Sequence, residues 1–163
     1  MNILSIETSC DETGIAIISV TESDATYVTN VLSNELISQA ELHAQYGGVF
    51  PSLAKQEHAK ALTPLLRLAL QHASMFTTKN FSDPLPTEKL ETLLAREPEL
   101  HTELLQLLSG IEKPPIDAVA VTHGPGLEPA LWVGINCAKA LSIAWNIPIV
   151  PINHMEGHMY AAL

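Results

Sequence analysis

Two isoleucine-rich runs separated by six polar residues open the chain and restrict its fold more than any other feature. Asn2 to Glu7 and Gly14 to Val20 are short and apolar, whereas Thr8-Ser9-Cys10-Asp11-Glu12-Thr13 is small and polar throughout. Strand-length runs flanking such a cluster predict a hairpin with a polar tip. Thr26 to Ile37 alternates imperfectly through Val28, Val31 and Leu36, and predicts a third antiparallel strand before Gly47-Gly48 and Pro51 interrupt the pattern.

The periodicity then changes. From Ser52 onward Leu53, Ala61, Leu65, Leu68 and Ala69 are spaced for a helix, within which Pro64 predicts a kink or a restart. Asp117 to Thr122 predicts a strand, and His123-Gly124-Pro125-Gly126 a tight loop. Leu131, Ile135, Ala138 and Leu141 mark a helix running to Trp145, and Ile147 to Ile152 a further strand leading into a last helix. The order β-β-β-α-β-α-β-α passes from antiparallel pairing to strand-helix-strand crossovers, which favour parallel pairing. It predicts an α/β fold with a mixed sheet, in the ribonuclease H-like order. With 163 residues, 47% of them apolar, a single domain with a sizeable core is expected.

Residues 75–115 differ in character. Phe81 to Glu112 holds seven acids against two bases, about half of the chain's excess negative charge. This predicts an acidic surface insertion, with Leu90, Leu93, Leu94, Leu100, Leu104, Leu105, Leu107 and Leu108 forming one or two amphipathic helices around Pro98, closed by Ser109-Gly110. A formal charge of -10 repels a phosphate backbone unless a basic patch or partner compensates. Met1 to Glu7 lacks a positive flank and turns acidic at once, so neither a leader nor a membrane span is expected there, and a cytoplasmic protein is. Cys10 and Cys137 show no metal-type spacing and are expected as reduced thiols.

Three segments carry chemistry. In the tip, hydroxyls and backbone amides suit phosphate oxygens, while carboxylates suit a metal or a nucleophile; an ordinary hairpin turn is an equal reading of the tip taken alone. Cys10 has no neighbouring base and reads as a nearby thiol rather than a nucleophile. Gly124-Pro125-Gly126 sits between a strand and a helix, where glycine permits close approach and a helix N-terminus attracts anions, although the same residues simply turn a chain. His123 reads as a loop residue. His154 and His158 lie four apart on one helix face, where one divalent ion can accept a nitrogen from each. They follow a strand of an open sheet, where ligand sites gather, which favours a metal site over two surface histidines. Met155 stands where a zinc protease needs its general-base Glu, and Glu156 comes one place too late.

Ile6-Glu7-Thr8-Ser9-Cys10-Asp11-Glu12-Thr13-Gly14, Tyr46-Gly47-Gly48-Val49-Phe50-Pro51-Ser52-Leu53-Ala54, Gly124-Pro125-Gly126-Leu127 and His154-Met155-Glu156-Gly157-His158 together closely resemble the TsaD family, once described as O-sialoglycoprotein endopeptidases. The resemblance covers nearly all of the chain outside 75–115. It implies the actin-like ATPase and sugar-kinase superfold of two ribonuclease H-like lobes, of which residues 1–163 are the first, with the C-terminal lobe absent. It implies transfer of a threonylcarbamoyl group from threonylcarbamoyl-AMP to N6 of the adenosine beside the anticodon of tRNA. Under it, His154 and His158 are ligands of one divalent ion, iron (Fe2+) or zinc; Asp11 and Glu12 face the same cleft as catalytic candidates, and Ser9, Gly124 and Gly126 approach the substrate phosphate. The family's Ser-Gly-Gly-His loop and distal Asp ligand belong after Leu163, so an isolated first lobe is expected to be inactive. The implied partners are a TsaB-like paralogue, a TsaE-like ATPase and tRNA. Alternatives are a non-catalytic module that pairs with a TsaB-like partner and, less favoured, a metalloprotease.

Overall fold

The opening runs pair as the patterning requires. In the computed structural model, which describes residues 1–23, 26–79 and 85–161, β1 (Asn2–Glu7) runs antiparallel to β2 (Glu12–Ser23), and β2 antiparallel to β3 (Thr26–Ser38). The polar tip is tighter than expected, because Glu12 and Thr13 already pair with Ser38 and Ile37 of β3. After α1 (Ala40–Ala44) and α2 (Pro51–His72) come α3 (Thr87–Leu93) and α4 (Pro98–Gly110). The strand β4 (Ala118–Gly124), α5 (Glu128–Trp145), β5 (Ile149–Asn153) and α6 (His154–Ala161) complete the order.

The five strands form one mixed sheet, β3-β2-β1-β4-β5, with β4 parallel to β1 and β5 parallel to β4. This is the ribonuclease H-like order. Alternation along the strands decides the core: Leu4, Ile6, Ile15, Ile17, Val119 and Val121 turn to one face and pack beneath α2 and α5. The opposite face carries Glu7, Thr122 and Ile152, with Val31 and Leu36 exposed on it at 66% and 59%.

Pro64 does not restart its helix; α2 is continuous across it. Pro64 lies on the exposed side, between buried Thr63 and Leu65, so the carbonyl of Lys60 that loses its N–H partner is on the side water reaches. Nor is the acidic stretch only a surface feature. Leu90 of α3, Leu94, and Leu100, Leu104, Leu107 and Leu108 of α4 are buried against α2 and α5, forming a layer outside the helices that cover the sheet, while Glu88, Glu91, Glu99 and Glu103 face outward and Glu97 is buried in an ion pair with Lys55. Residues 80–84 of that stretch, including Phe81, lie outside the described residues. Cys10 is exposed and Cys137 buried in α5; both thiols are free, and burial pushes the Cys137 thiol up to about 12.

Candidate active-site cleft

The carboxyl ends of β1, β4 and β5 meet the hairpin tip in a cleft of about 340 Å³, lined by Glu7, Ser9 to Glu12, Thr122, Ile152 to His154, Gly157 and His158. Sequence-local events bring the histidines there. Asn153, the last residue of β5, accepts the backbone N–H groups of Met155 and Glu156 on its side-chain oxygen, starting α6 with His154 as its first residue. One turn later His158 stands over the same face, with the imidazole Nε2 atoms 3.0 Å apart and the rings nearly perpendicular.

Glu7 joins the strand ends to the histidines. Its carboxylate accepts the backbone N–H of Ser9 and the hydroxyl of Thr122, and its Oε2 lies 3.3 Å from Nδ1 of His154, which is also 3.2 Å from Ser9 Oγ. Burial pushes the Glu7 carboxyl up, yet the hydrogen bonds from Ser9, Thr122 and His154 outweigh it and hold the group below its ordinary value. Glu7 is therefore a carboxylate at neutral pH.

Behind the tip, a buried polar relay holds the backbone in place. His58 of α2 donates from Nε2 to the carbonyl of Cys10 (3.1 Å), and its Nδ1 accepts from the hydroxyl of Thr13 (2.7 Å) and the amide of Gln39 (3.3 Å). Gln39 in turn accepts from Nε2 of His43, whose Nδ1 accepts the backbone N–H of Phe50. Burial lowers the His58 pKa, so the ring is neutral, as this donor-acceptor pattern requires. The relay ties the Tyr46 to Phe50 turn to the tip. Both His43 and His58 are buried in it.

The glycine loop sits against the tip rather than in the cleft lining. A Cβ on Gly126 would lie 2.6 Å from the carbonyl oxygen of Ser9, and the N–H of Leu127 donates to that oxygen at 2.7 Å. Gly124, at φ +146°, ends β4 in a backbone conformation that favours glycine. Gly126 is thus one layer behind Ser9, which itself borders the cleft, while Gly124 pairs with Asn153 at the end of the sheet. His123 is exposed beside them. Asp11 and Glu12 line the cleft mouth. The Cys10 thiol there is pushed up by burial and by Asp11, which disfavours the thiolate.

Sequence patterning leaves Glu7, Thr122, His43 and His58 unmarked. Their partners are up to 147 positions away, and only the place of Glu7, at the last position of a strand before a polar tip, distinguishes it locally.

The donor set fits a shared divalent ion in part. Two imidazole nitrogens at 3.0 Å are spaced as neighbours on one ion with bonds of about 2.0–2.1 Å. Among the described residues no group of three or more His, Cys, Asp or Glu is arranged to hold a metal, so these two would be a partial set. Nor is any helix of the described residues long and apolar enough to cross a membrane.

A family model described as TsaD, tRNA N6-adenosine threonylcarbamoyltransferase, matches residues 30–79 and 94–163, a span that includes both cleft histidines. The tRNA N6-adenosine threonylcarbamoyltransferase of Thermomicrobium roseum is 40% identical over 161 residues, which is 99% of this chain and 32% of that protein. The chain thus spans about a third of the length of this curated relative. Among solved structures, YeaZ from Pseudomonas aeruginosa superposes with a TM-score of 0.47 at 15% identity, covering 94% of this chain and 43% of YeaZ. Thermus thermophilus RuvC gives 0.46 at 12% identity, covering 99% of this chain and 69% of RuvC.

Proposed function

The chain belongs to the tRNA N6-adenosine threonylcarbamoyltransferase family, and on that premise we propose that it supplies one wall of the site that transfers the threonylcarbamoyl group from threonylcarbamoyl-AMP to N6 of the adenosine beside the anticodon. Convergence of the tip, the ends of β1 and β4, and the His154–His158 pair on one cleft is the observation that carries this reading. In it, the amine nitrogen attacks the carbamate carbonyl carbon, a carbon–nitrogen bond forms, and the bond to the phosphate oxygen breaks with AMP as leaving group. The amine proton passes to a carboxylate at the cleft mouth, Asp11 or Glu12. Ser9 orients the phosphate, supported from behind by the Gly124 to Gly126 backbone.

His154 and His158 would hold the divalent ion, iron (Fe2+) or zinc. When bound, such an ion supplies a Lewis acid for the carbonyl or an anchor for the phosphate. Glu7 and Ser9 orient His154, and Thr122 restrains Glu7. We place the protein in the cytoplasm, as the first lobe of an enzyme whose second lobe completes the cleft, working with a TsaB-like paralogue and a TsaE-like ATPase. With -10 of formal charge on this part, tRNA-binding surface comes from the second lobe or from partners. A proteolytic role is disfavoured: Met155 follows the first histidine, and neither it nor Glu156 borders the cleft.

The test is a chimera in which residues 1–163 replace the matching third of the T. roseum relative, supplied with threonylcarbamoyl-AMP, tRNA and partner proteins. Mass spectrometry of the digested tRNA should detect N6-threonylcarbamoyladenosine, and His154→Ala or His158→Ala should abolish it. A folded chimera that leaves the tRNA unmodified while the unaltered relative modifies it would overturn the assignment.

A further inference from the structure

The two cleft histidines are not equivalent, and the difference originates in Glu7. Both oxygens of its carboxylate accept hydrogen bonds, as a carboxylate does. Oε1 takes the backbone N–H of Ser9, and Oε2 takes the hydroxyl of Thr122 and faces Nδ1 of His154 at 3.3 Å. Were Nδ1 unprotonated, two lone pairs would oppose each other there. With the proton on Nδ1, His154 donates to Oε2 and to Ser9 Oγ at 3.2 Å, and its Nε2 is a bare lone pair turned into the cleft. The only group against that lone pair among the described residues is Nε2 of His158, at 3.0 Å, which must then carry the proton between them.

We infer that Glu7 is the positioning residue of this cleft: it fixes His154 as the Nδ1–H tautomer, with Nε2 already set as a ligand, while His158 rests in the opposite tautomer and must give up its Nε2 proton before it can ligate. This deepens, and rests on, the reading of the pair as metal ligands. A carboxylate that accepts the far N–H of a ligating imidazole sets both its tautomer and its ring orientation. His154 is thereby the anchoring ligand and His158 the one that joins upon binding.

Long-range 1H–15N NMR on the metal-free, 15N-labelled chain, at about pH 8 where ordinary imidazoles are neutral, tests this directly. The expected spectrum shows His154 predominantly protonated on Nδ1 and His158 on Nε2. A His154 that is mainly Nε2–H, or an even mixture, overturns the inference. Glu7→Gln gives a second reading. The Ser9 N–H obliges the amide oxygen to occupy the Oε1 position, so the new NH2 group faces His154, donates to Nδ1 and should shift His154 predominantly to Nε2–H. An unchanged tautomer in folded Glu7→Gln overturns the inference as well; if that variant fails to fold, the spectrum of the unaltered chain still decides. Neither measurement uses metal, tRNA or turnover. A chimera that cannot modify tRNA therefore removes the transferase reading without touching the tautomer result, and a wrong tautomer removes the role of Glu7 without touching the transferase.

Discussion

Single side chains set the site, and two of them make sharp predictions. Gly126 has no room for a methyl group, because a Cβ there would sit 2.6 Å from a backbone oxygen and 2.8 Å from the Cβ of Ser9. Gly126→Ala should destabilise the chain by about 1–3 kcal/mol, read as a lower urea midpoint at unchanged m-value. His58 predicts a pH dependence. Its folded pKa is lowered from 6.5 by burial, so the unfolded chain binds the proton more readily. Its contribution to stability is complete above about pH 6.5 and is lost as pH falls from there toward the folded pKa. Urea midpoints measured at several pH values should fall with pH more steeply in the unaltered chain than in His58→Gln; parallel curves would remove His58 as the source. Histidine identity was legible in the sequence, but burial was not, which is why His43 and His58 gave no local signal while His154 and His158, paired by helical spacing, did.

At the scale of elements, the strands and helices follow the hydrophobic periods closely, and the departures have local causes. Pro64 is tolerated inside α2 because its missing N–H falls on the solvent side. Pro64→Ala restores that donor and should stabilise the helix by roughly 1–3 kcal/mol, given the ~3 kcal/mol cost of Pro relative to Ala in helix interiors. A decrease in thermal midpoint would contradict this. The acidic stretch behaves as two populations of residues on the same helices. Leu104 is 1% exposed, and Leu104→Ala should cost about 2–5 kcal/mol in a single cooperative transition shared with the sheet. A separate early transition for α3 and α4 would instead make them an independent appendage. Leucine spacing revealed the amphipathic helices; that their apolar face has a partner in α2 and α5 became visible only once all four elements were in place.

For the molecule as a whole, one sheet face is covered by helices and the other carries the cleft at its strand ends. The strongly negative charge implies that this chain alone holds tRNA poorly: fluorescence anisotropy at about 0.15 M salt should detect no saturable binding, and tight binding would show that a local basic patch outweighs the total charge. Patterning by itself determined the strand and helix order, hence the mixed sheet, because hydrophobic period and turn chemistry are properties of neighbouring residues. The four ordered motifs likewise pointed to the family, and the spacing of His154 and His158 to a shared face. Only the tertiary structure decided that Glu7 meets His154 across 147 positions, that Thr122 restrains Glu7, and that Gly126 serves the close approach of two backbones. Such contacts depend on strand register and crossover connection together, and no stretch of sequence short enough to show a period contains both partners.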